Sequence, residues 1–209
     1  MSIIYLLNTH NLLIKDDLIE EIDERRRNRI LKTNNIEKKK ELVGSYLLLK
    51  DILESNYHID IKNIEYDYNE YNKPFFKNLD LFFSISHSQG IIVLAISKKE
   101  IGIDIEKVKE LDKKIIKNIL NEEELRIYNN LNNKEQLDYV YEVFCGKEAY
   151  VKKLGTSITI KPASINLDEV TISRKIFIGK DKFIISCCGF DDFRIIERFL
   201  DKQYMEEKE

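Results

Sequence analysis

The hexapeptide Ile101-Gly102-Ile103-Asp104-Ile105-Glu106 alternates isoleucine with small or acidic residues, a pattern typical of a β-strand with one buried face. The isoleucines would anchor this strand in a core. Asp104 and Glu106 share the opposite face, about 6.5 to 7 Å apart. Two carboxylates at that distance could hold one hard cation, for which Mg2+ is the first candidate. The alternative is a half-exposed strand whose acids face water.

The composition is that of a globular protein, since 43% of the 209 residues are hydrophobic and 34% are charged. That length allows one large domain or two small halves packed together. No apolar run approaches the ~20 residues that span a bilayer, and residues 1–11 lack signal-peptide features, so we expect a cytoplasmic protein without a membrane segment. Three cysteines, two of them adjacent, predict neither a disulfide framework nor a C-x-x-C metal site.

Residues 25–40 form a basic cluster in an otherwise acidic chain. They hold eight arginines or lysines against one acid, a local charge of +7 within a net charge of −3, so the remainder carries −10. A local cluster favours a compact anionic ligand, because a nucleic-acid footprint usually makes the whole domain basic. A solvated helix face is the alternative.

Hydrophobic periodicity and capping residues predict the remaining elements. We expect helices over residues 16–30, 36–55 (capped by Asn34 or Asn35), 112–120 and 122–131. We expect strands over residues 2–7, 63–68, 81–86 and 91–97, and a second sheet from residues 163–167, 171–178, 182–188 and 193–199. No glycine-rich phosphate loop, G-x-S-x-G elbow or dinucleotide-binding glycine fingerprint is present. Their absence argues against P-loop, hydrolase and Rossmann chemistry.

The strands over residues 81–86 and 91–97 predict a hairpin whose connection carries Ser86, His87 and Ser88 at a loop tip. The Asp104 strand would lie beside this hairpin as a third antiparallel strand. His87 and the carboxylates could then be neighbours, although a loop histidine can also be an ordinary solvated residue.

A long helix over residues 135–154 carries an acid on its apolar stripe. Glu148 follows Phe144 by four residues and therefore faces inward. A buried carboxylate is costly unless it is paired or binds a metal. An internal ion pair with Lys152, one turn further on, and a metal site are both open at this point.

Four motifs together resemble the 4'-phosphopantetheinyl transferases, in particular the long, surfactin-synthetase-activating type that modifies nonribosomal peptide and polyketide synthetases. They follow one another in the family's order, with the acidic strand about 45 residues before the K-E-A helix. The matching stretches are Lys73-Pro74 for G-K-P, Phe83-Ser84-Ile85-Ser86-His87-Ser88 for F-N-L-S-H-S, residues 101–106 for I-G-I-D-I-E, and Phe144-Cys145-Gly146-Lys147-Glu148-Ala149-Tyr150-Val151-Lys152 for W-x-x-K-E-A-x-x-K.

The resemblance implies an α+β fold, a pseudo-twofold tandem of two similar halves, each a small antiparallel sheet packed on a long helix. The expected halves are residues 1–100, with coenzyme A phosphate and nucleotide contacts, and residues 101–209, with the metal-binding acids, the K-E-A helix and the carrier contacts. It further implies a monomer that transfers the 4'-phosphopantetheine arm of coenzyme A to a serine of an apo acyl or peptidyl carrier protein and releases 3',5'-ADP. No nucleic acid or membrane partner is expected. A catalytically silent relative that binds coenzyme A or a carrier protein is the alternative.

The resemblance also assigns roles to residues. Asp104, Glu106 and Glu148 would hold Mg2+, with Mn2+ as an alternative, and Glu148 would also help to deprotonate the serine. Lys152 and His87 would contact phosphate oxygens. The nucleotide side would be lined by Lys73, Pro74 and Ser86, and the 3'-phosphate would meet Lys40 and one or more of Arg25, Arg26, Arg27 and Arg29.

Three stretches depart from the family's pattern. Phe144 replaces the usual tryptophan, and Asn72 replaces the glycine of G-K-P, which requires asparagine to tolerate the turn geometry. The stretch after the K-E-A helix, G-K-G-L-S in the family, is Gly155-Thr156-Ser157-Ile158 here, so a contact to the coenzyme or carrier is not carried over.

Overall fold

The computed structural model describes residues 2–156, 161–167 and 170–205, which form an α+β fold. Its helices are α1 (Asp16–Glu21), α2 (Glu24–Leu31), α3 (Ile36–Tyr57), α4 (Lys113–Ile119), α5 (Glu122–Asn130) and α6 (Asn133–Leu154). Its strands are β1 (Ser2–Asn8), β2 (Tyr66–Tyr68), β3 (Pro74–Phe76), β4 (Phe82–Ser88), β5 (Ile91–Ser97), β6 (Gly102–Lys107), β7 (Thr171–Ile178), β8 (Asp181–Cys188) and β9 (Phe193–Arg198).

Two sheets lie between the two long helices. The first has the strand order β4-β5-β1-β9 and the second β6-β8-β7, while β2 and β3 form a separate hairpin. One face of the first sheet packs on α3, and its other face packs on the second sheet. The opposite face of the second sheet packs on α6. The layers therefore run α3, first sheet, second sheet, α6.

The predicted faces of β6 are confirmed. Ile101, Ile103 and Ile105 are at most 1% exposed and pack between the two sheets. Since neighbouring side chains of a strand point to opposite faces, Asp104 and Glu106 face α6. Gly102 makes this close approach possible, because a Cβ there would lie 1.8 Å from the Ala149 carbonyl oxygen of α6.

The prediction that β6 is a third antiparallel strand of the β4–β5 hairpin is wrong. β6 pairs with β8 in the second sheet. It runs parallel to β4 but is joined to it by serine hydroxyls instead of a backbone ladder: the Ile103 N–H donates to Ser84 Oγ (3.0 Å) and the Lys107 N–H to Ser88 Oγ (3.2 Å). Serine side chains therefore satisfy β6 backbone groups along the seam between the sheets.

The β4–β5 connection is shorter than predicted, because Ser86, His87 and Ser88 belong to β4 and not to a loop tip. The ladder continues to the pair Ser88 with Ile91, and the turn is Gln89-Gly90. Both turn residues have positive φ, +49° and +77°, as a tight two-residue hairpin turn requires. The three polar side chains are consequently held by a strand.

Two other element predictions are wrong for local reasons. Residues 16–30 form two helices, because Ile22 is extended and the Asp23 side chain accepts a hydrogen bond from the Arg26 N–H as the cap of α2. Residues 163–167 are not a strand, because Pro162 opens a short 3-10 turn, Pro162–Ser164.

The last strand returns to the first sheet. β9 pairs in parallel with β1, in register from Ser2 with Phe193 to Leu7 with Arg198, and was predicted in the second sheet instead. The division of the chain between residues 100 and 101 stays a prediction. With that division, β9 belongs to the second half by sequence but to the first sheet by pairing. In the described part of the chain, no helix has the length and apolar character needed to cross a membrane.

Candidate active site

Three carboxylates meet where β6 packs on α6. Asp104 is 3% exposed and Glu148 is 8% exposed, while Glu106 is half-buried. Burial, and then the negative charge of Asp104, raise the pKa of Glu148 to about 7. The same two causes raise the pKa of Glu106 above its ordinary value. The protein surroundings therefore do not fully offset the burial and the mutual repulsion of these acids.

The two oxygens of Asp104 have different surroundings. Oδ1 accepts hydrogen bonds from Ser86 Oγ and from Lys152 Nζ, both at 2.7 Å, and Lys152 Nζ also donates to Ser86 Oγ at 2.7 Å. Oδ2 is buried and has no hydrogen-bond partner among the described residues. Glu106 Oε2 accepts from Ser88 Oγ at 2.9 Å. Serines of β4 thus orient both strand carboxylates.

The ion pair between Glu148 and Lys152, left open above, is not formed. The Lys152 ammonium lies against Asp104 and Ser86. Within the described ranges, no hydrogen bond or ion pair reaches the Glu148 carboxylate. The long helix therefore brings to the site, at the inward position that its spacing predicts, an acid without an ion-pair partner among the described residues.

The donor chemistry of this cluster fits a hard divalent cation. Oxygen ligands from carboxylates are what Mg2+ and Mn2+ prefer, and the unpartnered Asp104 Oδ2 and the raised pKa values of Glu106 and Glu148 are the costs that a cation would remove. Among the described residues, no three Asp, Glu, His or Cys side chains already stand in an arrangement that could hold a metal ion. The carboxylates would have to close on an ion, and the Lys152 ammonium would have to share Asp104 with it.

A cavity of about 320 Å3 opens beside this cluster, between α2, α3, β4 and the end of α6. Its charged lining residues are all basic, and within the part of the chain that the structure describes no aspartate or glutamate lines it. The surroundings therefore favour an anionic ligand. The lining includes Arg26, Arg29, Tyr46, Tyr71, Lys73, Pro74, His87, Lys152, Gly155 and Thr156.

The predicted phosphate contacts are only partly brought to this cavity. Arg26 and Arg29 line it, whereas Lys40 does not: its ammonium donates to the His10 carbonyl oxygen at 2.9 Å. Ser86 is likewise not a lining residue, since its hydroxyl is committed to Asp104 and Lys152. Of the stretch that departs from the G-K-G-L-S pattern, Gly155 and Thr156 line the cavity, and residues 157 and 158 lie outside the described residues.

The turn over residues 69–74 closes one end of the cavity. Lys73 Nζ donates to the Lys153 carbonyl oxygen at 3.1 Å, and Asn69 Nδ2 donates to the Gly155 carbonyl oxygen at 2.6 Å, so the turn is bound to the end of α6. Burial lowers the pKa of Lys73. Asn72 adopts φ = +64°, as its replacement of glycine requires, and its side chain accepts a hydrogen bond from Arg25.

Glu41, a buried acid of α3 that contacts His87, was not among the predicted site residues. Glu41 Oε2 lies 2.9 Å from His87 Nδ1, and Glu41 Oε1 accepts from the Gly90 N–H at 2.8 Å. The signal was available, because Glu41 precedes the fully buried Leu48 by seven residues and so lies on the same inward face. The same criterion, an acid on the inward face of a helix, identified Glu148.

A second missed residue is Lys147, which is fully buried in α6. Its ammonium donates to Glu124 Oε2 at 2.6 Å and to the Ile119 carbonyl oxygen at 3.0 Å. Glu124 also accepts from the Asn121 N–H in the capping box of α5. One buried pair therefore ties the connection between α4 and α5 to the helix that carries Glu148.

A separate, apolar groove lies between α4 and α6. It has a volume of about 380 Å3 and begins at Glu106. Ile115 of α4, which lines the groove, and Ile127 of α5 are each 46% exposed. The remaining lining residues are Leu111, Asn118, Ile119, Val140, Tyr141, Phe144 and Pro162.

Comparison with known proteins gives a consistent result. Residues 100–203 match the family model of the 4'-phosphopantetheinyl transferase superfamily. The chain is 34% identical over 130 residues to 4'-phosphopantetheinyl transferase gsp of Aneurinibacillus migulanus, covering 62% of this chain and 54% of that protein. It is 31% identical over 115 residues to 4'-phosphopantetheinyl transferase Sfp of Bacillus subtilis (strain 168), covering 54% of this chain and 51% of that protein.

A shorter match reaches a differently named protein. The chain is 39% identical over 64 residues to a holo-[acyl-carrier-protein] synthase of a Geobacillus species (strain WCH70), covering 28% of this chain and 54% of that protein. In each case the matched part spans about half the length of the curated relative.

Proposed function

Residues 100–203 belong to the 4'-phosphopantetheinyl transferase superfamily, and on that premise we propose that this protein transfers the 4'-phosphopantetheine arm of coenzyme A to a serine of an apo acyl or peptidyl carrier protein. The observation that carries the proposal is the cluster of Asp104, Glu106 and Glu148 beside a basic cavity of about 320 Å3. The serine hydroxyl attacks the β-phosphate of coenzyme A, the bond to the leaving phosphate breaks, and 3',5'-ADP departs.

The three acids are the residues that would hold Mg2+, or Mn2+ in its place. When bound there, the ion would neutralise charge on the diphosphate and on the carboxylates. Support comes from the unpartnered Asp104 Oδ2 and from the raised pKa values of Glu106 and Glu148. Ser86 and Ser88 orient the strand carboxylates toward α6, so that less reorganisation is needed at the moment of reaction.

Glu148 would accept the proton of the serine hydroxyl, and Lys152 would neutralise charge on the phosphates. The Glu148 carboxylate has no competing hydrogen bond from the described residues, so it is free to accept the proton of the serine hydroxyl. Lys152 lines the cavity and contacts Asp104, so its ammonium can meet phosphate oxygens next to the metal-binding acids. Phosphoryl transfer needs this positioning and neutralisation more than covalent help.

The cavity side of the site would bind the nucleotide. Lys73, Pro74 and His87 line it, in agreement with the roles inferred for them. For the 3'-phosphate we favour Arg26 and Arg29 over Lys40, because the two arginines line the cavity and the Lys40 ammonium donates to a backbone carbonyl. Ser86 would act by orienting Asp104 and Lys152, not by lining the nucleotide pocket.

The same proposal includes the pseudo-twofold arrangement and a monomeric, cytoplasmic protein. In its favour, α3 and α6 are both 22 residues long, and each packs on one of the two sheets. The carrier protein would approach the α4 and α5 side, where the apolar groove reaches Glu106 and two isoleucines are exposed. Exposed apolar residues next to the reacting centre are what a protein substrate needs.

The test is the intact mass of an apo acyl or peptidyl carrier protein after incubation with this protein, coenzyme A and Mg2+. We expect a gain of one phosphopantetheine mass that EDTA abolishes. A carrier whose modified serine is replaced by alanine is the matched control. No gain across several carriers, despite measurable binding of coenzyme A, would refute the transferase and favour a silent binding module.

A further inference from the structure

We propose that Glu41 is a positioning residue that orients His87 and balances its charge, so that the imidazole ring donates from Nε2 to an anionic group in the basic cavity. This inference rests on the proposed function for the identity of the ligand, a nucleotide phosphate. It rests on the structure for the geometry of the pair. Glu41 acts through His87, because it does not itself line the cavity.

Strand β4 places His87 between α3 and the cavity. Its side chain shares a face with Phe83 and Ile85, which pack against the core that α3 covers. At the end of this face the apolar contacts stop, and His87 meets Glu41 of α3. The imidazole lines the cavity, and the carboxylate lies behind it.

Both oxygens of the Glu41 carboxylate are committed. Oε2 pairs with His87 Nδ1 at 2.9 Å and Oε1 accepts from the Gly90 N–H at 2.8 Å. The Gly90 carbonyl in turn accepts from the Thr9 hydroxyl and the Thr9 N–H, both at 2.8 Å, so the turn is itself anchored to the end of β1. The carboxylate is therefore fixed by a helix and an anchored turn, and it fixes the ring in turn.

The arrangement determines which ring nitrogen is available. Because Nδ1 faces a carboxylate, it carries the proton, and the described residues make no hydrogen bond to Nε2. A ring that donates from both nitrogens is positively charged. Four other cationic side chains line the cavity and repel a positive charge on the ring: Arg26, Arg29, Lys73 and Lys152. Glu41 is the buried anion in contact with the ring, and its charge compensates the positive charge of the ring.

The pKa of Glu41 agrees with this role. Burial by itself would raise it, but the hydrogen bonds from His87 and Gly90 outweigh burial and hold the pKa of Glu41 below its ordinary value. The carboxylate is consequently ionised and able to serve as a counterion. A buried acid without such hydrogen bonds has its pKa raised, as Glu148 does.

The first measurement is the affinity for 3',5'-ADP by calorimetry, in wild type, Glu41→Gln, His87→Ala and the double variant. Loss of the charge-assisted hydrogen bond from Nε2 predicts about 10- to 100-fold weaker binding for His87→Ala. Glu41→Gln keeps a neutral Nε2–H donor and loses the positive charge of the ring, which predicts about 10-fold weaker binding. If Glu41 acts through His87, adding Glu41→Gln to His87→Ala weakens binding by less than about 2-fold. Glu54→Gln, an exposed acid on the same helix, is the matched control and should bind as wild type does.

The second measurement reads the ring directly. The chain has three histidines, so 15N spectra of the imidazole nitrogens are simple, and His87→Ala identifies the signal. In the neutral ring of wild type we expect the proton of His87 on Nδ1. In Glu41→Gln the amide oxygen keeps the Gly90 contact and the amide NH2 faces Nδ1, so the proton should move to Nε2. A purely structural role of Glu41 would not change the tautomer in this way.

The outcomes separate this proposal from the proposed function. Equal, additive losses in both backgrounds, or a wild-type proton on Nε2, would overturn the role of Glu41. Non-additive losses with no transfer to any carrier would support Glu41 and refute the transferase. No binding of 3',5'-ADP by wild type would overturn the role of Glu41, while the carrier mass alone would decide the transferase.

Discussion

The buried Glu148 couples the stability of the metal-free protein to pH. Its pKa of about 7 lies above its ordinary value of 4.5, so the folded state binds the proton more tightly than the unfolded state does. The free energy of unfolding should therefore fall as pH rises from about 4.5 to about 7. One unit of pKa difference corresponds to about 1.4 kcal/mol, so the difference of about 2.5 between the two pKa values corresponds to about 3 kcal/mol.

The perturbation that isolates this effect is Glu148→Gln, which keeps the shape and removes the titration. Urea unfolding followed by circular dichroism, in EDTA at several pH values between 4.5 and 8, gives the free energy of unfolding for both proteins. We expect wild type to lose about 3 kcal/mol relative to Glu148→Gln across that range. The exposed Glu54→Gln should follow wild type. Parallel pH profiles for wild type and Glu148→Gln would refute the assignment of a raised pKa to this residue.

Asp104→Ala should abolish Mg2+-dependent transfer, measured by carrier mass, with a circular dichroism spectrum like that of wild type; undiminished transfer would contradict the assigned metal-binding acids. Removing Mg2+ with EDTA should stop transfer by wild type, and adding Mg2+ back should restore it. Lys147→Met should lower the free energy of unfolding by about 3 kcal/mol in urea, because Glu124 loses its buried partner, and combining it with Glu124→Leu should recover part of that loss. Gly102→Ala should cost about 3 kcal/mol or more, since the new Cβ would overlap the Ala149 carbonyl oxygen; a thermal midpoint equal to that of wild type would show that β6 does not approach α6 this closely.

Local patterns predicted much of the site. The two-residue period of residues 101–106 identified the strand, its isoleucine core and its acidic face, all of which the structure bears out. The helical period placed Glu148 inward, and it is 8% exposed. These predictions succeed because the direction of a side chain within one element depends on residues close in sequence.

Pairings between distant elements were not predictable in the same way. β6 was expected beside the β4–β5 hairpin as a third antiparallel strand, but it pairs with β8 and meets β4 through serine hydroxyls. β9 was expected in the second sheet, but it pairs with β1. A strand with two apolar neighbours available satisfies its own pattern with either one, so periodicity does not choose between them.

The sequence by itself determined the acidic strand, the inward Glu148 and the motifs that resemble the transferase family, because each is written in residues that are neighbours along the chain or one helical turn apart. Only the tertiary structure decided that Lys152 neutralises Asp104 and not Glu148, that Lys40 lies off the cavity while Arg26 and Arg29 line it, and that Glu41 supports His87. Those contacts join residues on separate layers. Their distances follow from how the helices and sheets stack, and an element's own sequence does not encode that stacking.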